Sequence, residues 1–129
     1  MSTPPTGTFV RATADPGPSE ASAPVSGGIL LSQANVPEIQ NCLGAITMLP
    51  GATGDQALAH ATSEVMYVAR GRGELHTDDD TIEFTQGDAI FIPAGAWHWL
   101  RNTGDDVLVS VFSFPAADRP VTQTKQIGA

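Results

Sequence analysis

Two imidazoles and one carboxylate, set among apolar residues, are where this sequence holds chemistry. The segment "HATSEVMYVARG" places Glu64 four residues after His60. On an extended strand, residues of one parity share a face. Leu58, His60, Thr62, Glu64, Met66 and Val68 are therefore expected on a single face, and the Leu, Met and Val mark it as the interior. A histidine and a glutamate on that face are buried, and buried ionisable groups need partners. The segment "GDAIFIPAGAWHWLRN" supplies the third group. His98 stands between Trp97 and Trp99, just after the Pro93–Gly95 turn that closes an apolar run. The tryptophans have the opposite parity, so they are expected to pack outward, at a subunit interface, while the imidazole points in. Three convergent ionisable groups point to a polar pocket rather than to ordinary packing.

The elements that must position these residues are strands. "GGILLSQA" and "CLGAITMLPG" are apolar runs, the second ending in a Pro-Gly turn. "SEVMYVARGRGELHT" reads as two strand segments meeting near Gly71 and Gly73, and "TDDDTIEFTQGD" as a hairpin turned by three aspartates. "AIFIPAG" is a short strand stopped by Pro93, and "DDVLVSVFSF" a long β-branched and aromatic one. Apolar residues nowhere recur at helical spacing over ten residues. About seven or eight strands joined by Gly-rich turns predict an all-β closed barrel or sandwich. Residues 28–129 form this domain. Residues 1–27, with five prolines, form an N-terminal arm, either anchored through Phe9-Val10 on the barrel or a neighbouring subunit, or loosely held.

Composition narrows the partners. A net charge of −8 repels phosphate backbones and anionic lipids, so nucleic acid and membrane surface are excluded as partners. No window approaches the length of a membrane span and no signal peptide is evident, which predicts a cytoplasmic protein. The single cysteine, Cys42, lies in an apolar run and reads as a buried, inert thiol. His76 has Leu75 at the inward parity beside it and faces solvent. Asp78-Asp79-Asp80 lacks the spacing and closing Glu of a calcium loop, and "GRG" at 71–73 is a turn rather than a phosphate loop.

The same residues carry a family resemblance. Gly87, Pro93, Gly95, His98 and Asn102 match every element of the second conserved motif of the cupins. His60, Glu64 and Gly71 match the second half of the first motif, and "TMLPGA" and "RGRGEL" resemble its flanking segments. The resemblance spans roughly residues 40–115. It implies a cupin-type β-barrel, a jelly-roll-like double-stranded β-helix, commonly a homodimer in small members. It also implies a metal held by three histidines and a glutamate, but Leu58 stands where the first histidine belongs. The remaining set, His60, Glu64 and His98, is a 2-His-1-carboxylate triad that favours Fe(II), with Mn, Ni or Zn as other candidates. The amide oxygen of Gln56, at the same parity, is a further candidate ligand.

Two states follow from the loss at Leu58. In the first, the protein is a metalloenzyme with catalytic and ligating His60, Glu64 and His98 and a pocket lined by Gln56, Leu58, Met66 and Phe112. It acts on a small organic substrate by dioxygenase (oxidoreductase), isomerase, decarboxylase or cyclase chemistry. In the second, no metal is bound, and the barrel is either an acid–base isomerase or a non-enzymatic small-molecule-binding protein.

Overall fold

The computed structural model describes residues 4–13 and 23–127. Within them the chain forms β1 (Val25–Leu31), β2 (Cys42–Met48), β3 (Gln56–His60), β4 (Glu64–Arg70), β5 (Arg72–Thr77), β6 (Thr81–Thr85), β7 (Ala89–Ile92), β8 (His98–Asn102), β9 (Leu108–Phe114) and β10 (Thr122–Gln126), with no helix. The expected all-β class is what the chain adopts. The strand count is ten rather than seven or eight, and the strand that sequence patterning passes over is β10, whose "TQTKQ" carries no apolar alternation.

The strands make two five-stranded antiparallel sheets, in the orders β1-β2-β9-β4-β7 and β10-β3-β8-β5-β6. Local patterning explains each inward face. In β9, Leu108, Ser110, Phe112 and Phe114 are buried while the residues between them are half-exposed, and in β4 Glu64, Met66 and Val68 alternate with exposed Val65, Tyr67 and Ala69. Met48, Met66, Val68, Leu75, Phe84, Ile92 and Leu108 form the main core, and Cys42, Phe112 and Phe114 a second cluster. Cys42 is the buried, unpaired thiol expected.

From β3 onward the chain repeatedly changes sheets. One crossing corrects a sequence expectation. Residues 58–68 are not one strand: Ala61–Ser63 turn the chain out of β3 in one sheet and into β4 in the other. Leu58 and His60 share a parity, as do Glu64, Met66 and Val68, but the two sets face each other across the interior, and Thr62 lies in the turn. The next crossing, β4 to β5, needs Gly71. Its φ is +85°, and a β-carbon there would stand 2.7 Å from the carbonyl oxygen of Val107.

The barrel starts at Val25, three residues inside the segment read as the arm, because β1 pairs with β2 from Val25↔Met48 onward. Within the arm, the backbone amide of Gly7 donates to the Glu38 carboxylate at 2.8 and 3.1 Å, while Phe9 is fully exposed. Of the Phe9-Val10 pair, Phe9 does not act as an anchor and Val10 is half-buried, while Ala12 and Thr13 lie beside β1 and β2. The stretch from 14 to 22 lies outside the described residues.

Candidate functional site

Three sheet crossings gather at one end of the barrel. Residues 61–63 join β3 to β4, residues 93–97 join β7 to β8, and residues 115–121 join β9 to β10. They are stitched together by backbone bonds: the Gly95 amide donates to the His60 carbonyl at 2.8 Å, and the Ala61 amide to the Val121 carbonyl at 2.9 Å. Gly95 holds a left-handed φ of +77° in its turn, which is the conformational reason a glycine stands there. His60 is the last residue of β3, Glu64 the first of β4 and His98 the first of β8, so each ligand-type residue sits at the lip of a crossing.

Their side chains converge. His60 Nε2 lies 3.2 Å and His98 Nε2 3.5 Å from Glu64 Oε1, and the three ligand atoms all lie within 4.8 Å of one another. All three residues are buried. The His60 ring stands 5.1 Å from that of His98 and meets Phe114 edge-on at 4.7 Å.

Hydrogen bonds on the far side of each ring decide which nitrogen faces the others. His98 Nδ1 lies 3.0 Å from the Ala96 carbonyl, which can only accept, so Nδ1 carries the proton. His60 Nδ1 lies 2.8 Å from Thr122 Oγ1, whose hydroxyl donates to the Pro120 carbonyl at 2.9 Å. Having given its proton to Pro120, that hydroxyl accepts from His60 Nδ1–H. With both rings neutral, each turns a bare Nε2 lone pair towards Glu64. Glu64 Oε1 is buried with no aligned hydrogen-bond donor. Three lone-pair donors aimed at one buried point, one of them a carboxylate oxygen left unsatisfied, fit a divalent cation. His60, Glu64 and His98 are thus a potential metal site.

Without a cation, protons do part of this work. Burial acts to raise the Glu64 carboxyl, but the two imidazoles beside it outweigh burial and hold it below the usual carboxylate range. Burial likewise acts to lower His98, but the Glu64 carboxylate and the Ala96 carbonyl outweigh it and raise His98 above an ordinary histidine.

A cavity of about 240 Å³ opens onto the triad. Met48, Met66, Ile92, Phe112 and Phe114 wall it, Leu58 stands beside the triad, and Gln56, Trp99 and Arg119 are at its rim. The four pocket residues expected from sequence, Gln56, Leu58, Met66 and Phe112, all line this cavity; Gln56 does so from an exposed position. Leu58 pairs with His98 across the β3–β8 ladder. Asn102 is buried but belongs to the scaffold: Nδ2 donates to the carbonyls of Met48 and Asp106, and Oδ1 accepts from the Gly104 amide.

The tryptophan rings have partners of their own on the outer side, although Trp99 also borders the cavity rim. Trp99 stacks on His76, its cross-strand neighbour, at 5.4 Å between centroids, and Lys125 Nζ lies 4.5 Å over the Trp97 ring. Trp97 precedes β8, so the parity rule governs only Trp99. His76 is half-buried under that stack rather than free in solvent. Thr122 and Arg119 are site residues that the sequence does not announce. Each reaches the site from the β9–β10 connection or β10, far along the chain from the motifs.

Comparison with known proteins fits this geometry. An uncharacterised protein of Aquifex aeolicus is 39% identical over 56 residues, which is 42% of this chain and 46% of that protein. The chain therefore spans about half the length of that curated relative. Among solved structures, the polyketide cyclase RemF from Streptomyces resistomycificus superposes with a TM-score of 0.70 at 19% identity, over 95% of this chain and 86% of that one. Oxalate oxidase in complex with the substrate analogue glycolate gives 0.67 at 20% identity, over 83% of this chain and 58% of that one. At such identities these two are likenesses of fold. Residues 44–114, more than half of the chain, match the Cupin domain family, and the chain belongs to it.

Proposed function

We propose that this protein is a metal-dependent cupin enzyme acting on a small, largely apolar organic molecule. The observation that carries the reading is the buried triad, in which two bare Nε2 atoms and an unsatisfied carboxylate oxygen face one point at the end of an apolar cavity. His60, Glu64 and His98 would hold the ion, with Fe(II) favoured and Mn, Ni or Zn as the other candidates. A bound divalent ion supplies Lewis-acid polarisation of a substrate oxygen, or a place for dioxygen beside it. The chain's own residues do the rest. Met66 and Phe112 exclude water and bind the apolar body, Gln56 contacts the polar end at the rim, and Leu58 leaves open the side of the triad where the family has a further ligand. Dioxygenase, isomerase, decarboxylase and cyclase chemistries all fit this arrangement.

One observation favours a second reading, a metal-free acid–base isomerase: His98 Nε2 stands 3.5 Å from Glu64 Oε1 at the end of the cavity, an imidazole–carboxylate pair placed for proton transfer. Elemental analysis of protein purified without a chelating column separates the two. The metalloenzyme reading expects a single transition-metal ion per chain, lost in His60→Ala, Glu64→Gln and His98→Ala. Metal-free wild-type protein that takes up none of the four ions at micromolar concentration would sink it in favour of the second.

A further inference from the structure

The two imidazoles of the triad are held in different ways. His98 is oriented from within its own turn, by the carbonyl of a residue two positions earlier. His60 is oriented from the far end of the chain, by a residue 62 positions away. Thr122 opens β10 directly opposite His60 in the β3–β10 ladder. A cross-strand pair in an antiparallel ladder puts both side chains on one face, close enough to touch. Thr122 Oγ1 accordingly stands 2.8 Å from His60 Nδ1.

A threonine hydroxyl has one proton to give. Here it goes to the Pro120 carbonyl, 2.9 Å away, in the loop that leads into β10. Towards His60 the hydroxyl is therefore an acceptor only. That fixes the imidazole proton on Nδ1 and leaves Nε2 free. Without this acceptor the neutral ring would favour the other tautomer, because an Nε2 proton would point at Glu64 Oε1, 3.2 Å away and otherwise unsatisfied. In that tautomer Nε2 cannot ligate.

We propose that Thr122 is a positioning residue for the metal site, setting the His60 tautomer so that Nε2 is presented to the ion. The inference rests on the metal-centre reading of the triad. It also gives the polar strand β10 a purpose that its sequence does not suggest. The Pro120 carbonyl commits the hydroxyl proton, Thr122 commits the imidazole proton, and only then is the ligand set complete. Partners of this kind behind a metal-bound imidazole typically change affinity about 10–100-fold when removed.

The test uses the full chain as wild type, Thr122→Val, which keeps the shape and removes the hydroxyl, and Thr122→Ser, which keeps the hydroxyl. Imidazole ¹⁵N–¹H spectra of the metal-free proteins read the tautomer directly. The expected result is an Nδ1–H His60 in wild type and Thr122→Ser, and a shift to Nε2–H in Thr122→Val, with His98 unchanged in all three. Titration with Mn(II) and Zn(II) should show Thr122→Val weakened about 10–100-fold and Thr122→Ser restored close to wild type. An Nε2–H His60 in wild type overturns the proposal without any variant. So does a Thr122→Val protein with wild-type tautomer and wild-type affinity. If none of the proteins binds metal but the tautomer follows the hydroxyl, the metal-centre reading fails while the positioning of His60 by Thr122 stands.

Discussion

Leu58 stands across the β3–β8 ladder from His98, and the motif resemblance read from the sequence expects a histidine in its place. Leu58→His should therefore complete a three-histidine, one-glutamate set. Titration of Fe(II), Mn(II), Ni(II) and Zn(II) should show tighter binding, because the new ligand replaces water in a largely preformed cavity. Turnover should fall, because substrate or dioxygen must compete for a position that was open. If no metal binds, the same change buries a polar ring at a cost of about 1–3 kcal/mol, read as a lower denaturation midpoint. The Glu64–His98 pair makes a second prediction, for the metal-free protein. Glu64 is depressed below its ordinary 4.5, so its contribution is present above pH 4.5 and lost as pH falls through the lowered value. His98 is raised above its ordinary 6.5, so its contribution is complete below pH 6.5 and lost as pH rises through the raised value. Urea denaturation as a function of pH should show the pair's stabilisation greatest between 4.5 and 6.5, and His98→Gln should flatten the alkaline side. Metal affinity should rise with pH over that alkaline range, since the ion must displace the His98 proton.

Strand pairing shapes the cavity as much as its lining residues do. Gly44 in β2 faces Phe112 in β9 across their ladder, and the Phe112 ring lies over the glycine. A methyl group at Gly44 would collide with that ring and with the Gly28 carbonyl. Gly44→Ala is expected to drive Phe112 into the cavity and to cost about 1–3 kcal/mol of stability by overpacking. Denaturation should show the loss, while metal titration should stay close to wild type, because Phe112 is not a ligand. A variant of unchanged stability would mean that the ring moves aside freely and does not set the cavity's width.

Charge is spread unevenly over the whole molecule. The outer face of the β1-β2-β9-β4-β7 sheet carries, across β2, β9, β4 and β7, Leu43, Ala45, Thr47, Ser113, Val111, Val109, Val65, Tyr67, Phe91 and Ala89, with Arg70 opposite Val109 at the end of β4. Apart from Arg70, which is ion-paired with Asp106, none of these is charged, in a chain of net charge −8. Val65, Tyr67 and Phe91 are 52%, 51% and 65% exposed. The opposite outer face bears Glu74, His76, Arg101 and Lys125 beside the partnered tryptophans. If the homodimer expected from the sequence forms, it should use this apolar, nearly uncharged face, where two acidic copies meet with little repulsion, rather than the tryptophans. Light scattering at micromolar concentration should then give a dimer for wild type and a monomer for Phe91→Lys. A wild-type monomer removes the expectation, and a Phe91→Lys dimer moves the interface elsewhere.

The sequence by itself determined what a local period can encode. The parity of Glu64, Met66 and Val68, the inward aim of His98, the glycines of the two motifs and the all-β class each follow from neighbours a few residues apart, because a strand alternates its side chains and a tight turn restricts its backbone. Only the tertiary structure decided that His60 and Glu64 lie in different sheets. "ATS" at 61–63 contains no glycine or proline to mark the crossing, and an unbroken strand gives the same parity. The partners of Trp97 and Trp99 and the strand β10 were likewise settled by pairing between distant segments. The same holds for Thr122, whose neighbours "TQTKQ" show no alternation and whose partner lies 62 residues away. Alternation states which way a side chain points along its own strand. Which strand lies opposite, and therefore what that side chain meets, depends on packing that no short stretch of sequence contains.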